Sequence, residues 1–156
     1  MAIEVLCSRS VFLEATPREV FQFHSDPRNI SRIAPPGLRV LSVEAEVPAR
    51  PGGVFHLVVS QLGIRMDWRG RWAEVVEPGL LVDIADYCPF PGWRHEHVFE
   101  EQNGGTRMTD RVSIDVPHGL IGMVWRLSLR AVLAGMFLSR HRATHKYFSL
   151  STTKRQ

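Results

Sequence analysis

Between residues 3 and 13 the apolar side chains Val5, Leu6, Val11 and Phe12 fall in loose alternation, which predicts a first strand. Thr16-Pro17-Arg18-Glu19 then offers an N-cap, a proline at the first helical position and a glutamate to close a capping box. A short helix through Val20, Phe21 and Phe23 is expected. The same signal restarts at Ser25 or Asp26 with Pro27 inside, and Pro35-Pro36 ends it, giving a second short helix in tandem. Residues 38–46, 54–61, 64–76 and 80–86 read as strands, punctuated by Pro- and Gly-rich turns at 48–53, 77–79 and 88–92. In the run from Ile64 the even positions Met66, Trp68 and Trp72 are large and apolar, while Arg65, Asp67, Arg69 and Arg71 are charged. That strand has one buried and one wet face. After Pro117 the period changes: Leu120, Ile121, Val124, Trp125, Leu129, Val132, Leu133, Met136 and Phe137 recur at helical spacing, predicting a long helix over 119–148.

The 156 residues suit one domain with a sizeable core, expected over 1–150 with a tail at 151–156. Together with a hairpin over 93–116, the order predicts an α+β fold: a strand, two short helices, about six antiparallel strands and one long C-terminal helix. One helix cannot fill the whole concave face of a strongly curved sheet, so an enclosed space for a small molecule is expected between them.

Composition narrows the classes. A net charge of +3 with scattered basic residues offers no stripe for nucleic acid. The cluster Arg140, His141, Arg142, His145 and Lys146, with Lys154-Arg155 beyond it, reads as a solvated helix end. Cys7 and Cys88 form neither a disulfide scaffold nor a CxxC pair, which suits a reducing cytoplasm. The first ten residues lack the build of a secretory signal, and Arg126 and Arg130 interrupt the apolar run from Gly119, so no membrane span is expected.

The candidate chemistry lies in the hairpin. A type I′ turn at Asn103-Gly104 would place Gln102 opposite Gly105, His97 opposite Asp110, Phe99 opposite Met108 and His95 opposite Val112. These residues share an inward face with Trp93 and Ile114, whereas Arg94, Glu96, Glu100, Arg107, Thr109 and Arg111 lie outward. Three readings of inward imidazoles stay open. The cluster satisfies itself and fixes the register; Asp110 orients His97 as a general acid or base; or the His-x-His pair and a carboxylate form a facial metal site. The last lacks any further acid or imidazole tied to the hairpin by spacing, so no metal or cofactor is expected. No motif positions a Ser or Cys nucleophile.

Taken together, "VFQFHSDPRNISRIAPPG" (20–37), "MDWRGRW" (66–72), "PFPGWRHEHVFE" (89–100), "GTRMTD" (105–110), "VPHGLIG" (116–122) and "MFLSRH" (136–141) resemble the START-like, or helix-grip, superfamily (SRPBCC). That superfamily includes polyketide cyclases and aromatases, lipid-transfer domains and pathogenesis-related allergens. The Trp-x-His-x-His-x-Phe run is most similar to a bacterial ligand-binding branch labelled cyclase/dehydrase-like or as relatives of a cell-division inhibitor. The resemblance implies seven antiparallel strands gripping the C-terminal helix around a hydrophobic cavity. Two departures stand out: Asp83-Ile84-Ala85 where relatives tend to have Asp-x-Gln, and Cys88 where they tend to have Gly.

The inward sets give a predicted cavity wall of Met66, Trp68, Trp72, Trp93, His95, His97, Phe99, Met108, Asp110 and Val112, with Trp125, Leu129, Val132 and Met136 from the helix. Sequence leaves open whether His24 and Asp83 reach it, and places Arg140 and His141 in solvent. The expected function is binding of a small hydrophobic, lipid-, polyketide- or aromatic-like molecule. One alternative is a cyclase or dehydratase using His97, Asp110 and His95 for proton transfer. Another is a protein-interaction role in stress or cell-division control.

Overall fold

In the computed structural model, which describes residues 2–153, the alternating runs become seven strands. They are β1 (Ala2–Leu13), β2 (Leu38–Ala45), β3 (Val54–Gln61), β4 (Ile64–Val76), β5 (Leu80–Tyr87), β6 (Arg94–Gln102) and β7 (Gly105–Val116). All are antiparallel in one sheet of order β1-β7-β6-β5-β4-β3-β2. The chain crosses from one edge to the other after β1 and then returns by successive hairpins until β7 pairs with β1. Register shifts at Val5/Cys7, Val40/Ser42, Arg69/Gly70 and Trp72/Glu74 bend the strands. The sheet therefore curls into a half-pipe.

The crossing is made by α1 (Pro17–His24), a 3₁₀ turn (Pro27–Asn29) and α2 (Ile30–Ile33). The capping box forms as expected: the Thr16 N–H donates to Glu19 Oε2 at 2.9 Å and the Glu19 N–H to Thr16 Oγ1 at 3.3 Å. Val20, Phe21 and Phe23 are buried. The second predicted helix is shorter than its cap implied. Asp26 caps only the 3₁₀ turn, and a single α turn follows before Pro35-Pro36.

The Asn103-Gly104 turn has both φ angles positive, at 50° and 77°, and sets the β6–β7 register with His97 opposite Asp110 and His95 opposite Val112. Two core clusters flank the half-pipe. One gathers Leu13, Phe21, Phe23, Leu81, Phe99, Met108 and Phe148; the other gathers Trp93, Val112, Ile114, Leu129, Leu133 and Phe137. Each such side chain contributes roughly 1.5–3 kcal/mol by leaving water.

α3 runs from Gly119 to Thr153, so the helix extends past 148 into the segment expected to be a tail; residues 154–156 lie outside the described residues. It buries a narrow stripe, Leu129, Leu133, Phe137, His141, Thr144 and Phe148, at steps of three or four. Leu120, Ile121 and Val124, expected on the packed face, are mostly exposed, and so is Val132, which borders the cavity. By length and composition, Gly119–Ser151 is apolar enough to cross a membrane, against the expectation drawn from its arginines. In this fold its stripe packs on the sheet, and Arg126 Nε and Arg130 Nη2 pair with Glu4 of β1 at 2.8 and 3.3 Å.

Candidate functional site

Between the half-pipe, the α1–α2 segment and α3 lies a cavity of about 200 Å³. Aromatic and aliphatic side chains dominate its wall, among them Phe55, Leu57, Met66, Trp68, Phe90 and Trp93. One end is polar, formed by His24, Asp83, His95 and His97.

Sheet register assembles that end. Asp83 of β5 pairs with His95 of β6, and His97, two residues further on, pairs with Asp110 of β7. Inward positions two apart on one strand and opposite on the next therefore converge. The Trp93 indole N–H donates to Asp83 Oδ1 at 3.2 Å. His95 Nδ1 stands 3.3 Å from Asp83 Oδ2, and its Nε2 bonds Asp110 Oδ1 at 2.9 Å. His141 Nε2, from α3, bonds Asp110 Oδ2 at 2.5 Å. His97 Nδ1 also approaches Asp110 Oδ1, at 2.6 Å, but out of line, so that this nitrogen makes no hydrogen bond. His97 Nε2 lies 3.8 Å from Asp83 Oδ2.

Electrostatics divides the imidazoles. Burial opposes a charge on His95, but hydrogen bonds to Asp110 and Asp83 and their charges outweigh it and raise its pKa to about 9. Burial and the neighbouring His95 lower that of His97. His24 is pushed down to about 3 by burial and His97. Its Nδ1–H donates to the Val20 carbonyl at 2.8 Å, leaving Nε2 as an acceptor. Burial pushes Asp110 up, but the imidazoles of His97, His141 and His95 prevail and hold it well below the ordinary carboxylate range. Asp83 is lowered too, burial being outweighed by His95, His97 and the Trp93 N–H. Of the imidazoles at the cavity, His95, set between two carboxylates, is the one whose surroundings favour a positive charge.

Of the predicted wall, Met66, Trp68, Trp72, Trp93, His95, His97, Val132 and Met136 line the cavity. The other six do not. Phe99 and Met108 are packed in the first core cluster, Val112 and Leu129 in the second with Trp125 against it, and Asp110 sits behind the imidazoles. The strand residues among them share the inward face, but α3 packs chiefly on β1, beside β7, and leaves the space over β3 to β6. His24 and Asp83, left open by the sequence, both line the cavity, and so does Arg140.

His141, expected in solvent, is 5% exposed. Its position four residues after Phe137 on the buried stripe was the available signal. Phe55, Leu57 and Val59 of β3, also missed, alternate as an inward face should. Cys88 is a turn residue: its thiol donates to the Phe90 carbonyl at 2.9 Å, and burial raises its pKa, which disfavours a reactive thiolate.

One face of this cluster is suited to a cation, since Asp83, His95 and His97 each offer a ligand atom within 4.8 Å of the others. Among the described residues, no Ser, Thr or Cys side chain lines the cavity to serve as a nucleophile.

No curated protein sequence matches this chain significantly. Solved structures share its shape at low identity. Protein NE0264 from Nitrosomonas europaea has a TM-score of 0.75 at 14% identity, covering 94% of this chain and 96% of that one. The di-domain ARO/CYC StfQ of the steffimycin biosynthetic pathway reaches 0.79 at 13% identity, covering 94% of this chain and 52% of that one. A nucleoside-diphosphate sugar epimerase from Corynebacterium glutamicum gives 0.68 at 23% identity over 96% of this chain and 30% of its own. These likenesses establish the helix-grip fold. A family model described as "Polyketide cyclase / dehydrase and lipid transport" matches residues 13–137, from the end of β1 to the middle of α3. By that match and this fold, the chain belongs to the polyketide cyclase/dehydrase and lipid transport family of the START-like superfamily.

Proposed function

We propose that the protein binds a small hydrophobic molecule in the cavity, with the apolar part against the aromatic wall and an oxygen-bearing group toward His95, His97 and Asp83. The supporting observation is the form of the space: a partly open, largely apolar cavity with a cluster of His24, Asp83, His95 and His97 on its wall. Its ~200 Å³ exceeds the ~150 Å³ that admits a benzene ring. A ring with a short substituent fits without movement of the wall. The buried Trp72 Nε1–H has no hydrogen-bond partner among the described residues, in a side chain that lines the cavity. A carbonyl or hydroxyl oxygen of the ligand is the natural acceptor for it. The similar StfQ is a di-domain ARO/CYC of the steffimycin biosynthetic pathway, which agrees with a cyclic ligand class.

The test is native mass spectrometry of the purified chain beside a denatured control, followed by titration with a fluorescent apolar probe. Met136→Trp, which fills the cavity from α3, should keep the circular dichroism of the folded chain and weaken the probe by about tenfold or more. Equal probe affinity in the filled variant would show that the cavity is not the binding site.

A further inference from the structure

We propose that Asp83, His95 and His97 bind one divalent first-row transition ion at the polar end of the cavity, with Asp110 holding both imidazoles from behind. In the sequence, spacing ties no further acid or imidazole to the hairpin. The carboxylate opposite His97 in the hairpin is the obvious candidate, yet the structure gives it another place. Asp83 arrives from β5, opposite His95, and faces the same space.

The nitrogen assignments carry the argument. Asp110 Oδ1 takes His95 through Nε2 and His97 through Nδ1. The nitrogens left to point toward Asp83 are His95 Nδ1 and His97 Nε2, and these lie 3.3 and 3.8 Å from the same oxygen, Oδ2. Metal–ligand bonds of about 2.0–2.2 Å at tetrahedral or octahedral angles set ligand atoms about 3 to 3.5 Å apart. The two nitrogen-to-Oδ2 spacings lie within a few tenths of an ångström of that range, and all three ligand atoms are within 4.8 Å of one another, so the imidazoles would draw in around an ion.

The supports behind the ligands are also those a metal site uses. Asp110 bonds His95 by the nitrogen that would not bind metal and faces the corresponding nitrogen of His97 at 2.6 Å, His141 bonds Asp110, and the Trp93 N–H occupies Asp83 Oδ1, so that Oδ2 is the oxygen turned to the two imidazoles. Charge balances as well: a divalent ion with neutral imidazoles cancels Asp83 and Asp110. Two imidazoles and one carboxylate favour Fe²⁺, Co²⁺ or Zn²⁺ over Mg²⁺ and Ca²⁺, which take oxygen ligands. The rest of the coordination sphere would face the cavity and any oxygen of its occupant. The alternative tenant of the same space is a proton on His95.

The test uses the full chain, stripped with chelator and titrated with Co²⁺ alone, read by its visible absorption and by calorimetry, then with Zn²⁺ in competition. One equivalent per chain is expected, with a metal-dependent rise in melting temperature. Asp83→Ala should weaken binding by at least about 100-fold, and Asp110→Asn by roughly 10- to 100-fold through the imidazoles. If Asp83→Ala does not fold by circular dichroism, His97→Gln takes its place. Absence of stoichiometric binding by the native chain at micromolar metal overturns the proposal and leaves the proton as tenant. Binding that survives both Asp83→Ala and His97→Gln also overturns it, by placing the ion elsewhere. The apolar-probe titration, run on the same metal-free protein, reports separately on the cavity.

Discussion

Replacing Asp110 by Asn keeps the shape of the side chain and removes the charge on which three imidazoles converge. Asp110 is 2% exposed, bonds His95 at 2.9 Å and His141 at 2.5 Å, and lies 2.6 Å from His97 Nδ1. A hydrogen bond to a buried charged group contributes about 1.5–3 kcal/mol, and removing one partner of a buried ion pair costs about 3–5 kcal/mol. Asparagine can still accept one of the two bonds, but its amide N–H₂ then confronts an imidazole N–H. The expected loss is about 3–4 kcal/mol at pH 7, or roughly 6–16 °C in melting temperature for a chain of this size. Urea unfolding of the metal-free protein, followed by far-ultraviolet circular dichroism with both slope and midpoint fitted, measures it. Glu100→Gln, at an exposed position of β6, serves as the control and should shift stability by no more than about 0.5 kcal/mol. A loss below about 1 kcal/mol for Asp110→Asn with an unchanged slope would refute the reasoning, because the carboxylate would then not be carrying the buried charges.

Acid should destabilise the protein partly through His24. Its folded pKa of about 3 lies below the unfolded value, so the contribution is intact above about pH 6.5 and is lost as pH falls toward 3. Two pH units below 6.5 correspond to about 2.7 kcal/mol, an upper bound because His24 is only half-buried; His24→Gln should recover about 1–2 kcal/mol of urea stability at pH 4.5 and nothing at pH 7.5. Gly105→Ala should cost about 2 kcal/mol or more by thermal melting, since the added Cβ would lie 2.5 Å from the Leu13 carbonyl oxygen across the β1–β7 pair. Removing the α1 cap with Thr16→Ala should cost about 0.5–2 kcal/mol by the same assay.

Local rules made much of this protein legible. The Thr16 to Glu19 box and the Asn103-Gly104 turn act over a few residues, so their chemistry survives whatever the rest of the chain does. Once that turn was fixed, strand alternation carried the register outward, and His95, His97 and Asp110 could be placed on one face from sequence alone. The helix-grip order followed from the change of period after Pro117. Tertiary structure decided what lies between the elements. Whether an inward residue meets a cavity or a neighbour depends on where α3 crosses the sheet, which explains why Phe99, Met108 and Val112 are core while Met66 and Trp68 line the space. The partners that complete the polar end, Asp83 from β5 and His141 from α3, come from segments 10 and 31 residues away from the nearest hairpin member they touch. Periodicity says which way a side chain points within its own element; only the packing of elements against one another determines what it meets there.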